Sequence, residues 1–299
     1  MTQTTATTVT APSASLDELA RRHGLSSSGK LPSLFAYARQ TWIYRHFIAG
    51  YANARVSSAL GTNHLGILWQ VLTPLLNAVV YYVIFVLFLG LKDTHQNTIG
   101  TLCTGVFVYS FTAATIMNGA SSVVGNLGLI RALQFPRAAL PISTAFVEVR
   151  NLAASMSVLC IIVLLTGEPI TLRWLLVIPS LAMQAVFNTG VAMFCARLTS
   201  KIIDFKQILP FMIRIWMYAS AVFYPLNRLM GHAHGWKRIV IEANPLLVYI
   251  ELPRHAFLHG YNLQGSPTLL WSVGAGWAVV AGLIGFTYFW RGEKGYGRG

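Results

Sequence analysis

Leu129-Ile130-Arg131-Ala132-Leu133-Gln134-Phe135-Pro136-Arg137-Ala138-Ala139-Leu140-Pro141 is a basic elbow punctuated by two prolines. It sits between two apolar stretches, 102–124 and 140–165. A helix needs about 20 apolar residues to cross roughly 30 Å of hydrocarbon, and both stretches meet that length. The chain is therefore expected to leave a bilayer, turn within the elbow and re-enter. Working outward, the same criterion marks further spans at 65–89, 174–196, 211–224 and 269–290. The fifth is short; it gains length if it begins near Ile208 with Pro210 in its first turn, and its end runs into Tyr224-Pro225.

Composition agrees with this reading. Of 299 residues, 55% are hydrophobic and 10% charged, and the mean hydropathy is +0.56; soluble domains carry about 25% charged residues. The expected class is an all-α integral membrane protein of six spans. A net charge of +13 would suit nucleic acid if the cations lined one solvated face. Here they gather at the ends of apolar segments, as topology and headgroup signals, so no nucleic-acid partner is expected. With both termini cytoplasmic, fourteen Lys and Arg fall inside, in the flanks from Arg21 to Arg55, at Arg131 and Arg137, from Arg197 to Lys206 and from Arg291 to Arg298, against six outside. That matches the positive-inside bias and predicts a multi-pass protein of the inner (plasma) membrane. Cys103, Cys160 and Cys195 lie in apolar segments with neither pairing nor metal-type spacing, and read as buried thiols.

Residues 1–32, rich in Thr, Ser and Ala and lacking the apolar run of a signal peptide, are expected to form a disordered cytoplasmic tail. Within it, the stretch from Gly24 to Leu31 imitates a phosphate-binding loop. Leu31 stands where a hydroxyl would hold Mg²⁺, Pro32 follows, and no strand precedes, so nucleotide binding there is not expected. Residues 33–62 read as an amphipathic interface helix and a linker, with Phe35 and Trp42 among Arg39 and Arg45 in the headgroup plane. The transmembrane domain, 63–299, contains the elbow (126–139) and an apolar external segment, 225–268, cut by Pro225, Pro245, Pro253 and Pro267. Two short re-entrant helices dipping into the outer leaflet are expected there, the alternative being an amphipathic cap resting on the surface.

Three blocks carry a family likeness: Leu65-Gly66-Ile67-Leu68-Trp69 with Pro74; the elbow with Phe135-Pro136-Arg137 and Leu140-Pro141; and Ser220-Ala221-Val222-Phe223-Tyr224-Pro225, followed by Trp236, Asn244-Pro245-Leu246 and Arg254. In this order around six spans, they resemble the membrane subunits of type II ABC exporters, especially those exporting O-antigen, capsule, teichoic acid or galactan. The resemblance covers the chain from about Leu34 onward. It implies that two copies of this chain pair with two copies of a separate ATPase subunit, which holds the ATP and Mg²⁺. This chain is then expected to hold no cofactor or metal and to do no covalent chemistry.

The resemblance also assigns the elbow to ATPase coupling. Ile130, Leu133 and Phe135 would seat in a groove of the ATPase and Arg131 and Arg137 would meet acidic residues, while Pro136 separates one helix from the next. Without the likeness, the two arginines read as positive-inside anchors.

A sugar polymer calls for hydrogen bonding and for stacking on aromatic faces. Tyr81, Tyr82 and Phe85 in the first span, Tyr109 and Phe111 in the second, and Trp216, Tyr218, Phe223 and Tyr224 around the fifth are candidate channel-lining groups. Each also fits an interfacial aromatic. The resemblance implies that these three spans line the channel and the dimer seam.

Glu148, Arg150 and Arg214 fall in apolar context, where a charge costs about 3 kcal/mol. Two residues apart, Glu148 and Arg150 do not face each other, so a pairing of Glu148 with Arg214 across helices is expected; contact with a pyrophosphate head group and snorkelling are the alternatives. His232, His234, His255 and His259 include an i,i+4 pair, but no carboxylate or cysteine completes a metal set. The expected function is ATP-driven outward movement of a lipid-linked polysaccharide, galactan or O-antigen-like, on a polyprenyl diphosphate. The alternatives are a small-molecule or drug exporter and a membrane-embedded glycosyl or phosphoryl transferase. The latter would need an acidic pair at a membrane face, which nine scattered acidic residues do not supply.

Overall fold

The computed structural model describes residues 32–62, 66–88, 90, 97–223, 226, 241–261, 266–293 and 295–296. Among them are ten α-helices and no strand. Residues 1–31 of the expected tail with its loop mimic, Tyr224, the side chain of Phe85, His232, His234 and the first expected re-entrant helix lie outside the described residues.

The chain enters through α1 (Leu34–Ile43), whose N-cap Ser33 accepts the Ala36 amide at 3.3 Å. It bends at Tyr44 and continues as α2 (Arg45–Thr62). Where the sequence predicts a linker the backbone stays helical, because Ala49, Ala52, Ala54 and Ala59 favour helix strongly enough to carry Gly50. Next come α3 (Gly66–Tyr81), extended by the π-helical turn Tyr82–Phe88, then α4 (Thr98–Ala120) and the short α5 (Leu127–Ala132). The elbow leads into α6 (Ala139–Leu165). A 3₁₀ turn (Leu172–Leu176) opens α7 (Val177–Lys201), and α8 (Phe205–Tyr218), α9 (Pro245–Phe257) and α10 (Pro267–Trp290) complete the bundle.

Among the described residues, four stretches are long and apolar enough to cross a membrane: Thr98–Ala120, Ala139–Leu165, Leu172–Lys201 and Pro267–Trp290. They answer to the second, third, fourth and sixth expected spans. Caps set two of their starts: Asn97 accepts the Gly100 amide at 2.9 Å, and Ser266 accepts that of Leu269 with Pro267 following. In the first expected span, the apolar helical part Leu75–Phe88 is shorter than a crossing. The fifth differs more. α8 begins before residue 211, stops at Tyr218, and with 14 residues reaches about 21 Å.

The early stop has a local cause. Beyond Tyr218 the backbone carbonyls are taken by side chains: Asn244 Nδ2 donates to Ala219 O at 3.1 Å, and Arg254 Nη1 and Nη2 donate to Ala221 O and Val222 O at 2.9 and 2.7 Å. Those bonds let the chain leave the helix, with Ala221 at φ 51°, without orphaning its acceptors. A residue without glycine's freedom is held in the left-handed region because three donated bonds fix its surroundings.

α9 is enclosed by protein. All its residues except Pro245 and His255 are buried, so this part of 225–268 does not rest on the surface as an amphipathic cap. Close helix approach explains the rest of the bundle. A Cβ on Gly285 of α10 would overlap the Gly190 carbonyl of α7, and a Cβ on Gly119 of α4 would meet the Ala192 methyl at 2.5 Å. Between α4 and α7, Gln184 Nε2 donates to Val108 O at 3.0 Å and to Thr112 Oγ1 at 2.8 Å.

Candidate functional site

The elbow divides its expected contact residues into two sets. Ile130 and Phe135 are 6% and 8% exposed and pack with Tyr37, Ile48, Val123 and Phe289. The Phe135 ring lies 5.1 Å from that of Phe47 on α2, and Pro136 is buried beside it. These three are packed inside the chain, with apolar cover for Ile130 and Phe135 supplied by α2 and α10. Arg131 and Leu133 face outward with Gly128, Ala132 and Gln134, Leu133 being 51% exposed. The presented surface is thus one apolar side chain beside a cation.

Arg137 points back into the protein. Its Nη1 lies 3.2 Å from Glu293 Oε1 and donates to the Glu293 carbonyl at 3.1 Å, while its backbone amide donates to the same Oε1 at 3.1 Å. Tyr37 of α1 donates its hydroxyl to Glu293 Oε2 at 2.6 Å and accepts the Ala138 amide at 3.0 Å. Burial first, and the neighbouring carboxylate second, hold the Tyr37 hydroxyl well above its ordinary pKa, so it remains a donor. Further ties run from Tyr51 to Asn126 Oδ1 at 2.7 Å and from Arg55 to Thr144 Oγ1 at 2.9 Å.

α1 presents its apolar side outward. Phe35 and Trp42 are 82% and 70% exposed, Arg39 and Arg45 are exposed, and Arg45 lies 5.7 Å over the Trp42 ring. Tyr37 and Thr41 form the opposite, buried side.

The aromatic candidates also separate. Phe111 and Phe223 are buried, Phe223 lying 4.2 Å from Tyr81 and 5.7 Å from Tyr218 between ring centroids. Trp216 donates to Asn244 Oδ1 at 2.8 Å and thereby braces α8 against α9. Tyr82 lines an apolar cavity of about 220 Å³ with Ala78, Leu102 and Cys103. Tyr81 on α3 and Tyr218 on α8 both pack on Phe223, Tyr109 on α4 packs against the same apolar cluster as Tyr81, and Arg214 is exposed on α8.

Glu148 does not pair with Arg214. Its carboxylate accepts from Asn118 Nδ2 at 2.8 Å and Asn151 Nδ2 at 3.1 Å, and Arg150 donates to Asn53 on α2. Two neutral amides satisfy the buried carboxylate without a second charge. Near the far end, the His259 amide donates to Glu168 Oε2 at 2.7 Å.

Sequence reasoning missed two clusters. One is the buried Glu251–Arg254 pair with Tyr261, whose hydroxyl lies 2.9 Å from Glu251 Oε1. Its signal was present as a carboxylate and a guanidinium three apart in an apolar helix. The other is the Glu293 cluster, which joins residues 256 positions apart and leaves no local signal.

The described residues form a helical bundle with a braced loop and several helices long and apolar enough to cross a membrane. The chain belongs to the ABC-2 type transporter family, whose model matches residues 52–258. It is similar to an O-antigen export system permease protein RfbA of Klebsiella pneumoniae, 26% identical over 226 residues that cover 75% of this chain and 83% of the relative. A second protein of that name and organism is 26% identical over 196 residues, covering 65% and 73%. The Myxococcus xanthus protein of the same name is 20% identical over 232 residues, covering 78% and 87%. The elbow, Glu148, Arg214 and Arg254 fall inside the matched family region; Tyr37 and Glu293 fall outside it.

Proposed function

We propose that this chain is the membrane subunit of an ATP-driven exporter that moves a lipid-linked polysaccharide, O-antigen-like or galactan, on a polyprenyl diphosphate, from the cytoplasmic to the outer side of the inner membrane. Two copies assemble with two copies of an ATPase subunit that binds ATP and Mg²⁺. Both termini and the elbow lie on the cytoplasmic side, in line with the distribution of Lys and Arg.

The observation that carries this reading is the set of phenols on three helices, Tyr81 and Tyr218 packed on Phe223 with Tyr109 against the same cluster, on a face where α8 also presents the exposed Arg214. Phenol rings stack on sugar faces while their hydroxyls exchange hydrogen bonds with sugar hydroxyls, and a guanidinium suits a passing diphosphate. The names of the relatives point to the same cargo class. Along α8, Ile208, Phe211, Met212 and Ile215 are each more than half exposed, an apolar side that a second copy would cover while closing the patch into a channel. Elbow residues Arg131 and Leu133 would meet the ATPase, with the amphipathic α1 in the headgroup layer among membrane lipids.

The reading is tested in a strain lacking this chain. Surface polymer should disappear and lipid-linked polymer should accumulate inside, and Arg214→Ala should restore only a small fraction of export. Normal surface polymer in the deletion strain would overturn it.

A further inference from the structure

Glu293 follows the last helix, Tyr37 lies on the first, and Arg137 belongs to the elbow. Glu293 Oε2 takes the Tyr37 hydroxyl at 2.6 Å, and Glu293 Oε1 takes the Arg137 amide and guanidinium at 3.1 and 3.2 Å. The bonds have a specific backbone role. α6 starts without a side-chain cap of its own, its N-cap position being Ala138 and its first turn holding no acidic residue. Helix N-termini leave amides unsatisfied and favour negative charge. Here the Arg137 amide, just ahead of the helix, is taken by the Glu293 carboxylate and the Ala138 amide by the Tyr37 oxygen. The turn that leads into the third span is thus held by two side chains from opposite ends of the sequence.

The same cluster closes around α10 and α1. Tyr296 donates to Phe289 O at 3.1 Å, Trp290 donates to the Pro32 carbonyl at 2.9 Å, and the Tyr37 and Phe286 rings lie 5.7 Å apart. Glu293 is only 8% exposed. A buried carboxylate with acceptor capacity filled from two other elements fixes their relative positions, and breaking it leaves a buried charge short of partners.

We propose that Glu293 is a positioning residue that locks the elbow, the interface helix α1 and the end of α10 into one rigid lever, so that a motor stroke delivered at Arg131 and Leu133 moves α1 within the headgroup layer. The inference rests on reading the elbow as the ATPase contact. Displacing α1, with Phe35 and Trp42 outward, shifts the helix that borders the lipid anchor's entry layer, while α6 is pushed along its axis from its N-terminal end. Glu293 touches neither ATPase nor cargo; it acts through the elbow.

The test uses the full complex in liposomes, measuring polymer exported per ATP hydrolysed. Glu293→Ala is expected to keep the ATPase bound and hydrolysing within about twofold of the parent while export per ATP falls about tenfold; Glu293→Gln, which keeps one acceptor oxygen for the Arg137 amide but loses the second oxygen and the charge, recovers part of that ratio. A purely structural residue would lower bound ATPase and hydrolysis together without changing the ratio. A second measurement places spin labels at Ile43→Cys and Gly128→Cys, after replacing Cys103, Cys160 and Cys195 by Ala. Their separation should stay constant between nucleotide-free and ATP-bound states in the parent and change with nucleotide in Glu293→Ala. Export per ATP unchanged in Glu293→Ala, or a parent separation that changes with nucleotide, overturns the lever. If Leu133→Asp leaves the ATPase bound and stimulated, the coupling reading fails instead.

Discussion

The guanidinium of Arg254 lies 3.0 Å from the carboxylate of Glu251, one turn earlier on α9, and both side chains are almost wholly enclosed. The same guanidinium donates to the carbonyls of Thr101, Ala221 and Val222, so one charged group ties α4 and the end of the α8 segment to α9. Removing one member of a buried pair costs about 3–5 kcal/mol because the other is left uncompensated. Arg254→Ala should therefore melt far below the parent in detergent, whereas Glu251→Gln, which still accepts from Arg254 and Tyr261, should lose much less. An Arg254→Ala protein that melts with the parent would contradict the stapling role.

The elbow residues should separate in the laboratory as they do in space. Leu133→Ala and Arg131→Ala alter the exposed tip, so the chain should remain folded and monodisperse while it retains less ATPase in a pull-down. Phe135→Ala empties a site packed against Phe47 and should cost about 3–5 kcal/mol of stability before any coupling defect is measurable. Equal thermal stability of the Phe135 and Leu133 variants would show that the division is mistaken.

For Glu148, the partners are Asn118 and Asn151. Glu148→Gln should be tolerated within about 1 kcal/mol, since a side-chain amide can still engage both, while Glu148→Leu should cost about 1–3 kcal/mol by orphaning Asn118. Exchanging the charges of Glu148 and Arg214 together should rescue nothing. Recovery of folding in that double variant would restore the direct pairing.

The crossing of α7 and α10 offers a sharper contrast. A Cβ on Gly285 would overlap the Gly190 backbone, whereas one on Gly276, nine residues earlier on the same helix, has no heavy atom within 4 Å. Gly285→Ala should destabilise by about 1–3 kcal/mol or more, and Gly276→Ala should leave stability unchanged or raised by up to about 1 kcal/mol. Thermal melting of the two variants side by side checks the crossing.

What the sequence made legible follows the range of each interaction. Spans 98–120, 139–165 and 267–290 begin or end within four residues of the limits expected from hydropathy, since length and apolarity are local properties. α8 escaped because its end is set by donors on Asn244 and Arg254, which lie beyond it in sequence. The elbow announced its prolines and cations, but composition cannot tell a residue aimed at a partner from one aimed at its own core. Phe135 and Arg137 read as contact residues and proved to be held by Phe47 and Glu293. Aromatics divided likewise: Tyr81 and Tyr218 meet at Phe223, while Phe111 fills the bundle. Glu148 signalled a partner by its cost in an apolar helix, and an amide filled the place foreseen for a cation.

The most direct measurement is to tag this chain, extract it in mild detergent, and identify the proteins and lipids that accompany it by mass spectrometry. An ATPase subunit in equal amount, together with a polyprenyl-diphosphate glycan, is the predicted result and would name the cargo. A chain recovered alone that turns over a sugar nucleotide without any ATPase would contradict the exporter account.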